Sequence, residues 1–256
     1  MNDKKPLILI SNDDGVTAKG INELINTLRP IGDIIAVAPN APRSGAACSL
    51  TVTTPVFYKL NHEEEGLKIF SCSGTPVDCI KLALHSIVPR RPDLIIGGIN
   101  HGDNSAVNVH YSGTMGIVLE GCMKGIPSIG YSLCDHNPDA DFNPLKKHII
   151  EITSEVLKHG LPEGICLNVN FPLTETFKGV RICRQTRGVW SNEWASCPHP
   201  YKDNYYWLTG SFQKSEMAED CDVWALSNGY VAITPVKIDV TAYEVIEPMK
   251  KWNLSF

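Results

Sequence analysis

The chain has 256 residues, 43% apolar and 20% charged, which supports a substantial core and excludes wholesale disorder. Lys plus Arg number 23 against 28 Asp plus Glu, a formal charge of −5, so nothing basic points to duplex nucleic acid as the principal ligand. The nine cysteines, Cys48 to Cys221, are scattered with no C-x-x-C pair, which reads as reduced thiols in a reducing compartment. A polar start runs straight into Leu7-Ile8-Leu9-Ile10, too short for a signal-peptide core or a bilayer span. The expectation is a soluble, cytoplasmic protein with no membrane partner.

In chain order, the apolar run Leu7 to Ser11 predicts a buried strand. Ile21, Leu24, Ile25 and Leu28 then fall at helical spacing. Asp33 to Ala38 predicts a second strand, closed by Pro39-Asn40-Ala41-Pro42. Val77 to Val88 has helical periodicity, Asp93 to Gly97 reads as a strand, Gly113 to Lys124 as a helix and Pro127 to Tyr131 as a strand. This alternation predicts an α/β fold with a mostly parallel sheet and right-handed crossovers. Beyond about residue 175, Trp190, Trp194, Tyr201, Tyr205, Tyr206 and Trp207 crowd a Gly- and Asn-punctuated stretch without helical period, expected to form hairpins. Tyr230 to Pro235 predicts one more strand and Ala242 to Trp252 a terminal helix.

In open α/β sheets, ligands bind beyond the carboxyl ends of strands, and three polar segments follow the clearest strands. In Asn12-Asp13-Asp14-Gly15, adjacent carboxylates repel unless a cation holds them, and oxygen ligands suit Mg²⁺, Mn²⁺ or Ca²⁺. The same four residues equally read as a turn with an Asp N-cap. Pro42-Arg43-Ser44-Gly45-Ala46 offers a hydroxyl to a metal or backbone N–H groups to a phosphate, or is a plain polar loop. Gly97 to Asn104 followed by Tyr111-Ser112-Gly113-Thr114 allows close backbone approach and aims a helix N-terminus at an anion; an ordinary cap is the alternative. His101 and His110 lie in this loop as candidate general acids, although loop histidines are more often solvated or satisfied hydrogen-bond partners.

Taken together, these segments resemble the SurE family of nucleoside-monophosphate phosphatases. The matching stretches are Leu9 to Gly15, Arg43 to Ala46 with Ser49-Leu50-Thr51, and Gly74-Thr75-Pro76-Val77-Asp78-Cys79. They continue through Gly98-Ile99-Asn100 with Gly102 and Asn104, Tyr111 to Thr114, Tyr205-Tyr206-Trp207, and Gly229 to Val231 with Ile233-Thr234-Pro235. A lone N-D-D-G carries little; this ordered set spans nearly the whole chain.

The resemblance implies a Rossmann-like three-layer core over 1–175. Residues 176–256 would supply hairpin extensions, a last core strand and a C-terminal helix that join subunits into homodimers or homotetramers. It implies a metal-dependent 5′-nucleotidase, a phosphoric monoester hydrolase, with 3′-nucleotides and short polyphosphate as further substrate classes. One divalent cation (Mg, Mn or Ca) per subunit would bind Asp13, Asp14, Ser44 and Asn100, the two aspartates being catalytic. Asn12, Gly45, Asn104, Ser112, Gly113 and Thr114 would surround the phosphate. Gly97, Lys19 and Val109-His110 depart from the usual family residues at positions that are not proposed ligands. The rivals are a Mg²⁺-binding signalling receiver or non-catalytic nucleotide-binding module, and a haloacid-dehalogenase-type phosphatase. The latter needs D-x-D, whereas Asp13 and Asp14 are adjacent. No Walker lysine follows a Gly-rich loop, which disfavours ATP-driven chemistry.

Overall fold

Strands and helices alternate from the start of the computed structural model, which describes residues 5–252 and 254. The order is β1 (Leu7–Ser11), α1 (Lys19–Leu28), β2 (Asp33–Pro39), β3 (Tyr58–Glu64), β4 (Leu67–Cys72), α2 (Pro76–Leu82), β5 (Leu94–His101), α3 (Gly113–Met123) and β6 (Ser128–Leu133). There follow α4 (Lys146–His159), β7 (Ile165–Phe171), β8 (Val180–Ile182), β9 (Gly188–Ser191), β10 (Trp194–Ser196), β11 (Tyr206–Leu208), β12 (Ser211–Lys214), α5 (Asp222–Ser227), β13 (Val231–Lys237) and α6 (Tyr243–Met249). A π turn, Ala83–Ile87, prolongs α2, and a 3₁₀ turn, Ala106–His110, precedes α3.

Nine strands form one sheet in the order β3-β4-β2-β1-β5-β6-β7-β13-β8. Only the β3–β4 and β7–β13 pairs are antiparallel. β1 is buried at every residue, and its pleat divides the apolar run between two layers. Ile8 and Ile10 pack with Ile21 and Leu24 of α1 and Ile149 of α4. Leu7 and Leu9 pack with Ile80 of α2 and Ile117 of α3 on the other face. The chain leaves β1 for β2 on one side and returns through β5 on the other, both parallel to it. Strand order therefore reverses at β1/β5, and a crevice opens there beyond the carboxyl ends of both strands.

The structure adds elements that apolar periodicity did not announce: the β3–β4 hairpin, α4 and β7. The expected terminal helix is confined to Tyr243–Met249, and the strand expected over Asp93 to Gly97 runs on to His101. After β8, the chain makes two small antiparallel pairs, β9 with β12 and β10 with β11, before α5 and β13 return it to the sheet. Among the described residues, no helix is long and apolar enough to cross a membrane.

Candidate active site

The β1/β5 crevice is a cleft of about 460 Å³, a volume typical of small-molecule sites. Asp13, Ser44, Gly45, Asn100, Asn104 and Ser112 line it together with His101 and Tyr111, so residues from all three polar segments converge. Backbone bonds bring them together. Arg43 N–H donates to the Asp13 carbonyl at 2.7 Å, and Ala47 N–H to the Tyr111 carbonyl at 3.1 Å. Gly116 in α3 lets the 43–47 loop sit down on the helix, because a Cβ there would collide with the Ala47 carbonyl oxygen.

Asp13 is 4% exposed, and its Oδ1 accepts the Thr114 hydroxyl at 2.6 Å. Burial raises its carboxyl from the ordinary 3.8 to about 6, and the neighbouring charge of Asp14 adds to the rise. Hydrogen bonds from Thr114 and the backbone, including Gly113, oppose it. Gly113 is a close-approach position: a Cβ on it would lie 2.7 Å from the Asp13 Cβ. Asp14 Oδ2 lies 3.2 Å from His101 Nδ1, and the imidazole stands edge-on to Phe142. The Asn100 amide nitrogen donates to the Gly102 carbonyl at 2.7 Å, which leaves its side-chain oxygen as the atom available to a ligand.

The other residues singled out in the sequence sit in more than one place. Asn12 is fully buried, its amide donating to the Gly15 carbonyl at 3.0 Å, and it fixes the turn rather than lining the cleft. Thr114 is fully buried behind Asp13, and Ser112 caps α3 by accepting the Met115 N–H at 3.0 Å. His110 is exposed at the end of the 3₁₀ turn and does not line the cleft. The Gly74 to Cys79 motif is structural. Thr75 and Asp78 form a capping box that starts α2, and Asp78 also accepts the Thr51 N–H at 3.1 Å.

Sequence reasoning missed the support beneath the loop. Asn170 Oδ1 accepts the Asn104 N–H at 2.7 Å, the Asn168 amide donates to the Asn104 carbonyl at 2.8 Å, and the Asn104 amide donates to Ser132 Oγ at 2.8 Å. The visible signal was two asparagines at alternate positions of an otherwise apolar strand, Ile165-Cys166-Leu167-Asn168-Val169-Asn170-Phe171. Also missed were Trp190, Glu193, Leu208 and Thr209, which reach the outer wall from the late hairpins, and His136.

The donor set can be tested against a divalent cation. Asp13, buried at an electrostatic cost, shares the cleft with the Asn100 amide oxygen and the Ser44 hydroxyl, all hard oxygen donors, whereas Asp14 does not line the cleft and its Oδ2 faces His101. Among the described residues no three His, Cys, Asp or Glu cluster as a metal-holding group, so a cation here would depend on neutral oxygens and on ligand oxygens. That composition fits Mg²⁺ or Mn²⁺, which are commonly held by one or two carboxylates plus substrate phosphate.

The family model for survival protein SurE matches residues 8–192. The chain belongs to the SurE family. It is 63% identical over 255 residues to the 5′-nucleotidase SurE of Phocaeicola vulgatus, covering 99% of each chain. It is 60% identical over 250 residues to that of Bacteroides thetaiotaomicron, covering 97% of this chain and 96% of the relative. A crystal structure of the SurE protein from Aquifex aeolicus superposes with a TM-score of 0.82 at 35% identity, covering 96% of this chain and 98% of that one. The SurE relationship thus agrees with the α/β class expected from the sequence.

Proposed function

We infer that this SurE-family chain is a phosphomonoesterase that hydrolyses nucleoside 5′-monophosphates to nucleoside and phosphate, with 3′-monophosphates as a second substrate class. The observation that carries the reading is an oxygen-donor cleft at the β1/β5 switch point in a chain nearly two-thirds identical to a relative named 5′-nucleotidase. Nothing in the fold or the relationships favours the receiver or the non-catalytic nucleotide-binding alternative.

Asp13, Asp14, Ser44 and Asn100 would hold one divalent cation, Mg²⁺, Mn²⁺ or Ca²⁺. When bound, the cation supplies positive charge that polarises a phosphoryl oxygen and acidifies water. The chain's own residues do the rest by positioning. Thr114 and the start of α3 fix the Asp13 carboxylate in one rotamer. Gly45 and the Asn104 amide present polar groups to the phosphate from opposite loops, and Ser112 fixes the turn between them. Trp190 and the hairpin residues at the outer wall face the nucleoside. Hydrolysis is an in-line attack of water on phosphorus with loss of the sugar alkoxide, and preorganised donors stabilise the charge on the equatorial oxygens.

The assembly would be a homodimer or homotetramer through the C-terminal extension. No residue of α6 is buried in the chain, and Trp194, Tyr206 and Trp207 of the hairpins are 66%, 55% and 69% exposed. Nine free cysteines suit a cytoplasmic setting. The test is phosphate release from a panel of 5′- and 3′-nucleoside monophosphates with Mn²⁺ or Mg²⁺ and again with excess chelator. Cation-dependent release supports the reading; no release from any member by folded, metal-supplied protein rejects it.

A further inference from the structure

A buried carboxylate outside the cleft ties its two walls together. Asp222, the first residue of α5, is 1% exposed and does not line the cleft. Its Oδ2 accepts the Ala106 backbone N–H at 2.9 Å. Its Oδ1 accepts the Thr186 N–H at 3.0 Å, the Thr186 hydroxyl at 2.6 Å and the Val223 N–H at 2.8 Å. Ala106 lies between Asn104 and Asn108 in the core loop and has φ +50°, a left-handed conformation that costs a non-glycine residue energy. It persists because its neighbours over-determine it. Thr186 leads directly into β9, which carries Trp190. The two arms meet again where Trp190 Nε1–H donates to Asn108 Oδ1 at 2.9 Å. Loop and hairpin thus form a closed ring, with Asp222 at one junction and the Trp190–Asn108 bond at the other.

We propose that Asp222 is a positioning residue that sets the spacing between the Ala106–Asn108 turn and the Trp190 strand, and hence the wall that receives the nucleoside. An ionised carboxylate only accepts, and all four of its partners are donors. The isosteric amide would turn an N–H toward one of them and free one arm while keeping shape. The phosphate end is held by other bonds: Thr114 to Asp13, Arg43 to the Asp13 carbonyl, Asn100 to Gly102, and Asn104 to Asn168, Asn170 and Ser132. Loosening the ring therefore acts on the nucleoside end first.

The inference rests on the nucleotidase reading, and its test separates the two. Wild type, Asp222→Asn and a control, Thr153→Val, are assayed on 5′-AMP and on p-nitrophenyl phosphate, which has no nucleoside. Thr153 is fully buried in α4 and shares a 2.9 Å hydrogen bond with Tyr131, so its loss is a structural perturbation in another layer. Asp222→Asn is expected to raise KM for 5′-AMP at least tenfold, with kcat within threefold and kcat/KM for p-nitrophenyl phosphate within threefold. Thr153→Val is expected to leave both KM values within twofold. Amide hydrogen exchange over residues 106–108 should quicken in Asp222→Asn and not in the control. Should Asp222→Asn fail to fold, Thr186→Val, which removes the hydroxyl bond to Asp222 and the Val223 N–H bond to that hydroxyl but keeps the Thr186 backbone bond, should move KM for 5′-AMP the same way by at least threefold. An unchanged KM with unchanged exchange, or parallel losses on both substrates, overturns the proposal. A wild type inert toward both substrates refutes the nucleotidase reading instead, and hydrogen exchange then decides on the ring alone.

Discussion

Asp13→Asn should make the metal-free protein more stable at neutral pH while removing its activity. The Asp13 carboxyl is raised from 3.8 to about 6, chiefly by burial, so the folded chain holds its proton to higher pH than the unfolded chain does. Protonated, Asp13 carries no penalty below about pH 4; as pH rises through about 6 the folded state loses stability, and above that the loss is complete. Roughly two pKa units at 1.36 kcal/mol each amount to about 3 kcal/mol. The amide keeps the acceptor for the Thr114 hydroxyl but turns a donor toward the Gly113 backbone, which offsets about 1 kcal/mol. The net is about 2 kcal/mol, or about 4–8 °C in the thermal midpoint of a chain this long. Thermal melts in excess chelator from pH 4 to pH 8 are the assay. The two midpoints should converge near pH 4 and separate above pH 6, with the variant higher. A variant that melts lower than wild type at pH 8, or a gap independent of pH, would refute the electrostatic argument.

Other consequences concern single contacts. Gly113→Ala would drive a methyl group against Asp13, and kcat should fall at least a hundredfold with the far-UV spectrum unchanged. Asn100→Ala should weaken Mn²⁺ binding about tenfold by isothermal titration, because it removes one of few oxygen donors. Asn170→Ala frees the Asn104 N–H beneath the loop and should lower kcat/KM about tenfold without touching the cleft. Ile246→Glu on the unburied α6 should shift the assembly toward monomer in light scattering; an unchanged mass would place the interface elsewhere.

The central strands were legible because β1, β2, β5 and β6 are apolar runs that the sheet buries on both faces, and such runs survive any context. The β3–β4 hairpin was not, since Tyr58–Glu64 is an exposed edge strand with no burial to pattern it. α4 hides its core stripe of Ile149, Thr153 and Val156 among charged residues, and β7 is broken by the two asparagines that support the loop. The convergence of the three polar segments on one cleft followed from strand ends, whereas the choice of Asp13, Ser44, Asn100 and Asn104 within them came from the resemblance to the SurE family. The rotation of Thr114 toward Asp13, and the inward turn of Asn12, did not, because neighbouring positions in a turn can face either way. Asp222 was invisible for a different reason. Its partners Ala106 and Thr186 are distant in sequence, and only the return of α5 to the sheet brings them together.

The most direct test compares phosphate release from 5′-AMP by wild type and by Asp13→Asn, side by side in saturating Mn²⁺, with both proteins shown folded by their melts. The expected result is cation-dependent turnover by wild type and a loss of at least a thousandfold in the variant. Turnover by Asp13→Asn within tenfold of wild type would contradict the assignment of the β1/β5 cleft as the hydrolytic site.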